Sequence, residues 1–231
     1  MNIDTTIFSG IATLLTVVHT LASAQPPQTP SAPLSLDCST PESVAMRAAP
    51  LGATRTSKNE LTVVSRAGTH VFRNEEVEEG MLGGVSYLYC GYDVLSGFHF
   101  IQKNDKDALT GLLLANSSGQ QLPAGQRVIF AANRRSYFST VQPDGLDGEE
   151  WHLYSISGKA LWKGLSGISA KHPKLNYEYF VATLQAPRWS ATGELQATLI
   201  CESDRKTNAV VTLRPKGRGY AWVPSVACPP N

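Results

Sequence analysis

The densest group of chemically capable side chains in this sequence is Asp144, Gly145, Leu146, Asp147, Gly148, Glu149 and Glu150, four carboxylates within seven residues. Hard oxygen ligands at that density suit calcium, and the two glycines let the backbone turn tightly and offer its carbonyls. The spacing departs from the Asp-x-Asp/Asn-x-Asp/Asn-Gly calcium loop, and simple solvation also makes hairpin tips acidic. An exposed turn is therefore the first expectation. A calcium site built from Asp144, Asp147, Glu149 and Glu150 is its alternative, and no other cofactor is expected.

Acid–base chemistry would fall to His70, His99, His152 or His172. None of them sits in an HExxH pattern, and no serine sits in a G-x-S-x-G elbow. Glu149 and Glu150 are adjacent, so they cannot line one cleft as a glycosidase pair without a distant third carboxylate. His99 lies between Phe98 and Phe100; strand alternation turns it to the opposite face, where it is expected to be exposed. The catalytic alternative is thus a hydrolase site assembled from distant loops, drawing on Asp144, Asp147 and His152.

Trp151, Trp162, Trp189 and Trp222 offer apolar faces for sugar rings or for a partner's side chains, although core packing uses the same residue type. Trp151, Trp189 and His152 are the binding candidates. Trp189, between Arg188 and Ser190 and following Pro187, is expected to be the most exposed. Asn116-Ser117-Ser118 is a formal N-glycosylation acceptor on a predicted turn.

Strands must position these residues. Over residues 127–164, short apolar runs alternate with turn chemistry: Asn133 to Ser136, then Pro143-Asp144-Gly145, then Ser157-Gly158-Lys159. No helix-period segment separates the runs, so neighbours in sequence must be neighbours in an antiparallel sheet. Further strands are predicted over residues 61–65, 85–92, 98–102, 109–115, 177–184, 195–202, 209–213 and 220–223. Within 195–202, Leu195, Ala197, Leu199 and Cys201 alternate with polar or outward residues, which turns Cys201 inward. Residues 164–176 read as a polar loop. Thr40, Pro41 and Glu42 predict the cap and first turn of one short helix reaching residue 49.

The predicted fold is all-β, an antiparallel meander forming a sandwich or barrel. A small propeller is the alternative, because Tyr137-Phe138-Ser139-Thr140 and Tyr179-Phe180-Val181-Ala182 start similar runs at a blade-like distance.

At the amino terminus, residues 7–21 are mostly apolar and have the length of a secretory core; Ala22-Ser23-Ala24 supplies a small-x-small cleavage pattern. Residues 1–24 are read as a signal peptide and 25–37 as a Pro-rich linker; a single β domain follows from residue 38. Cys38, Cys90, Cys201 and Cys228 then form an even set in an oxidising compartment, with Cys38–Cys90 and Cys201–Cys228 the favoured pairs because each ties a chain end to a strand. No CxxC pair exists, which argues against zinc. The balance of 20 basic to 19 acidic residues gives no electrostatic reason to propose nucleic acid. The expected function is recognition of a protein or glycan by a secreted or periplasmic domain without chemistry of its own. A secreted hydrolase and a cell-surface structural protein are the rivals.

Overall fold

The computed structural model describes residues 34–35, 38–75, 84–105, 108–142, 148–171 and 176–228. A two-residue strand, β1 (Leu34–Ser35), and one helix, α1 (Glu42–Arg47), come first. Sheet I then holds β2 (Ala53–Ser57), β3 (Glu60–Ser65) and β4 (Gly68–Arg73). Sheet II holds β5 (Val85–Asp93), β6 (Phe98–Asp105), β7 (Ala108–Ala115) and β8 (Gln121–Ala124). Sheet III holds β9 (Arg127–Phe130), β10 (Ser136–Val141), β11 (Glu150–Ser155) and β12 (Ala160–Leu165), with β1 added beside β9. Sheet IV holds β13 (Gly167–Lys171), β14 (Glu178–Trp189), β15 (Leu195–Cys201), β16 (Asn208–Lys216) and β17 (Gly219–Val223). Apart from β1, strands lie side by side in chain order and every pair is antiparallel. This is the predicted meander, and its cause is the shortness of the connections within each sheet.

Side-chain alternation then decides how the sheets stack. On β15, Leu195, Ala197, Leu199 and Cys201 are buried against Ile129, Phe138, Trp151 and Leu153 of sheet III. The other face of sheet III sends Val128, Phe130 and Tyr137 against Phe98, Phe100, Leu113 and Leu122 of sheet II. Sheet II in turn packs Tyr89, Ile101 and Leu114 on Leu61, Val63 and Phe72 of sheet I, with Ala45 of α1. Sheets I to IV therefore stack in series as successive sandwiches, and the two middle sheets are covered on both faces. Propeller blades also stack consecutive meanders, but among the described residues no buried cluster joins sheet I to sheet IV.

Five of these strands were not expected from sequence: β1, which falls in the predicted linker, and β2, β4, β8 and β13. Each is an edge strand. An edge strand answers to one neighbour and to solvent, so ATRTS, QLPA and GISAK need no clean apolar alternation to pair. The helix also starts differently from expectation. Pro41, not Thr40, occupies the N-cap position, and no side chain caps the helix. Glu42 is engaged elsewhere: its carboxylate accepts two bonds from Arg55 (3.1 and 2.8 Å) and one from the Tyr89 N–H (2.9 Å), fastening α1 to sheets I and II.

Disulfides join Cys38 to Cys90 on β5 and Cys201 to Cys228, with Cα separations of 4.9 and 5.4 Å. Such bonds are the chemistry of oxidising compartments. Among the described residues no helix is long and apolar enough to cross a membrane. The predicted signal peptide, and the predicted linker apart from Leu34 and Ser35, lie outside the described residues.

Candidate ligand-binding cleft

In an up-and-down meander every second turn lies at the same end, and here turns from three sheets meet. Residues 66–67 follow β3, residues 94–97 follow β5, residues 116–120 follow β7, and Ile156 follows β11. Between them lies a cleft of about 410 Å³ whose walls include Arg66, Tyr92, Ser96, Asn116, Ser118 and Gln120. Backbone and side-chain bonds fasten the turns together. The Arg66 N–H donates to the Asn116 carbonyl (2.8 Å), the Asn116 N–H to that of Gly97 (3.0 Å), and Gln120 Nε2 to that of Ser157 (3.2 Å).

A bulge shapes the back of the cleft. The β5–β6 register shifts between Tyr89 and Gly91, where Gly91 takes a φ of 143° that a side chain would resist. Residues 89 and 92 would face opposite sides of a regular strand; the extra residue brings both rings against His99, with centroids 6.0 and 4.9 Å away. The Tyr89 hydroxyl lies 2.9 Å from His99 Nδ1, and Asn116 Oδ1 lies 3.3 Å from Nε2. An amide oxygen only accepts, so Nε2 carries the proton and Nδ1 accepts from the tyrosine. Burial holds His99 below the usual histidine value, with the Asn116 bond opposing, and pushes the Tyr89 phenol up. Both groups are thus neutral and committed to each other. Beside them Ser65 Oγ meets His70 Nε2 at 2.9 Å, and His70 fills the space next to Gly119, where an added Cβ would lie 2.8 Å from the ring.

Two sequence expectations change here. His99 does turn away from Phe98 and Phe100, but it is 0% exposed, because sheet I covers that face of sheet II. Asn116 is 7% exposed with its Oδ1 occupied by His99, so the formal glycosylation acceptor is closed in the folded chain.

The groups lining the cleft are differently placed. Arg66 is exposed, is the sole charged residue among those lining the cleft, and pairs with no carboxylate among the described residues. Ser96 Oγ is buried with no partner among the described residues. Asp93 clamps the β5–β6 turn by accepting from the Ser96 N–H (2.8 Å) and, at its carbonyl, from Gly97 (2.9 Å). Val94 and Leu95 consequently project at its tip, 79% and 68% exposed. Nothing local in the sequence announces this site. Its one legible sign is an apolar pair, Val94-Leu95, at the tip of a turn, where polar residues are usual.

The residues singled out from sequence lie elsewhere. Glu150, His152 and Tyr154 share one face of β11 at alternate positions. Lys163 Nζ approaches Glu150 Oε2 (2.8 Å), which also meets His152 Nε2 (3.2 Å), while His152 Nδ1 meets the Tyr154 hydroxyl (2.8 Å). The Lys163 bond holds Glu150 below the usual carboxylate value, and burial lowers His152 and raises Tyr154. Glu149 instead accepts from the Trp151 indole N–H (3.0 Å). Asp144, Asp147 and His172 lie outside the described residues. Among the described residues no three His, Cys, Asp or Glu side chains are grouped to hold a metal.

Of the four tryptophans weighed as a platform, the two binding candidates, Trp151 and Trp189, are buried in the core, and Trp162 and Trp222 are partly buried against it, which corrects that expectation. Trp151 packs edge-on to Phe138 and Trp222 between sheets III and IV. Trp189, expected to be exposed, is 9% exposed and donates its indole N–H to the Ile129 carbonyl (2.9 Å). The cause is a register shift between Gln185 and Arg188, where Ala186 takes a φ of 49°. Ala182 and Leu184 point inward before it and Pro187 and Trp189 after it, so the irregularity reverses the alternation.

Comparison of the chain with protein-family models, curated proteins and solved structures finds no match.

Proposed function

We propose that this chain is a secreted or periplasmic recognition domain that holds a protein or glycan ligand in the cleft where the turns of sheets I, II and III meet. The observation that carries the reading is the pairing of an uncompensated guanidinium, Arg66, with an unpartnered buried hydroxyl, Ser96, in a cleft of ligand size. A buried hydroxyl is rarely left unmatched, and an exposed guanidinium with no carboxylate beside it is available to an anionic group of a ligand. Binding without chemistry fits the surroundings. The His99 imidazole behind the cleft has both ring nitrogens engaged, and no carboxylate or histidine is among the residues lining the cleft. The disulfides and the apolar amino-terminal run with its small-x-small site support export.

A second reading, hydrolysis, draws on the hydrogen-bonded chain Lys163–Glu150–His152–Tyr154. One comparison separates the two. The full chain, a Tyr92→Ala/Gln120→Ala variant and a His152→Ala variant are applied to glycan and protein arrays and to generic ester and peptide substrates. Recognition predicts array binding that the cleft variant loses and His152→Ala keeps; turnover abolished by His152→Ala would instead favour the hydrolase.

A further inference from the structure

The charge of the cleft identifies its ligand more narrowly. Arg66 is exposed at the mouth of the cleft and is the one ionic group among the lining residues, while every other polar group there is a hydroxyl or a carboxamide: Tyr92, Ser96, Asn116, Ser117, Ser118 and Gln120. Elsewhere on the described surface some basic side chains have carboxylate partners and others, Arg47, Lys58, Arg127 and Arg218 among them, have no ion pair among the described residues, so what sets Arg66 apart is its place as the one charge in a cleft. Arg55 has Glu42, Arg73 has Glu60, and Arg214 has Glu194, at 2.8 to 2.9 Å. Arg66 has none among the described residues, and its backbone N–H bond to the Asn116 carbonyl ties its turn to the cleft. An exposed guanidinium at the mouth of a cleft whose lining holds no other charge is suited to bidentate pairing with a carboxylate.

The remainder of the site fits a sugar better than a peptide. Peptide capture by strand addition needs an open strand edge, and these walls are turns. Helix capture needs an apolar groove, and here hydroxyls and amides alternate with the Tyr92 and Phe98 rings. Clustered hydroxyls and planar amides match the vicinal hydroxyls of a pyranose, and an aromatic ring matches its C–H face. We propose that the cleft binds a carboxylated sugar, with Arg66 pairing the carboxylate, the exposed Ser117, Ser118 and Gln120 side chains reaching the ring hydroxyls, and Tyr92 lying along the ring. This inference rests on the recognition reading and adds the ligand's chemical class.

Isothermal titration calorimetry of the full chain tests it. The probes are oligogalacturonate, oligoglucuronate and sialyllactose, each beside its own methyl ester, with a tetraglutamate peptide as the acidic control. The esters keep the sugar and remove the charge. At least one acid is expected to bind about tenfold or more tightly than its ester. Arg66→Ala should bring the acid down to the level of the ester, and Arg66→Lys should restore part of the difference. Arg66 is exposed, so an unchanged unfolding midpoint in both variants will show that the fold is intact. Equal binding of acid and ester, lost on Tyr92→Ala, would overturn the acid preference and leave the cleft as a neutral-glycan site. Tighter binding of tetraglutamate than of any sugar would replace the sugar with an acidic peptide. Binding of no sugar and no peptide would overturn this inference, while the recognition reading falls only if the arrays also show no binding that the Tyr92→Ala/Gln120→Ala variant loses.

Discussion

The cleft end of sheets I to III and the packed interface between sheets III and IV are built from the same strands and turns, yet they treat polar groups in opposite ways. Between sheets III and IV, the indoles of Trp151 and Trp189 both donate to oxygens, and Trp162, Trp151 and Trp222 pack edge to face at 5.8 and 6.0 Å. At the cleft, His99, Tyr89 and Asn116 satisfy one another behind the wall, while Arg66 and Ser96 in the wall are left unmatched among the described residues. A buried hydroxyl without a partner costs stability, whereas an exposed guanidinium is hydrated and stays available to a ligand. The difference teaches that the tryptophans, the most conspicuous binding candidates in the sequence, pack in or against the core, while inconspicuous turn residues wall the cleft proposed to bind.

The comparison breaks most visibly at Trp151. Trp151→Ala removes a buried ring that touches both Phe138 and Trp222, so it should lower stability by about 3 to 5 kcal/mol in chemical denaturation. A loss below about 1 kcal/mol would mean that the ring is not central to the interface. Binding in the cleft should survive in whatever fraction remains folded.

A smaller effect sharpens the other side. His99 sits below its ordinary value in the folded chain, so the unfolded chain binds more protons as pH falls. Its contribution to stability is fully present above about pH 6.5 and is lost as pH falls from there toward its lowered folded value. Tyr89, Tyr92 and His70 are the titratable neighbours, and none offers a negative charge to offset the imidazolium. Urea unfolding between about pH 5 and 7 should therefore show stability rising with pH, with a shallower slope in His99→Gln. His152 is also lowered by burial, so a His152→Gln variant measures its share of the slope. An unaltered slope in His99→Gln would show that the buried network is not proton-linked.

Much of this fold was legible in sequence, for reasons that particular residues illustrate. The alternation Leu195, Ala197, Leu199, Cys201 predicts a half-buried strand, and β15 has that pattern because it packs on one sheet only. The chain-end argument for the cysteines agrees with both disulfides. What alternation does not carry is the second covering layer and the extra residue. His99 was assigned to the correct face, but exposure depends on sheet I, whose partner strands are distant in sequence. Trp189 was misplaced because the irregularity around Ala186 inverts the faces of β14 without any glycine to signal it. The cleft was illegible for a related reason: Arg66, Ser96, Asn116 and Ile156 come from four turns, and only the stacking of three sheets brings them together.

The most direct test of the account follows backbone amide shifts by NMR while the full chain is titrated with the tightest-binding ligand from the arrays. The account predicts shifts concentrated at residues 66–67, 92–98 and 115–120, absent from Glu150, His152 and Lys163. Shifts centred on β11 and β12, with the cleft unmoved, would contradict it.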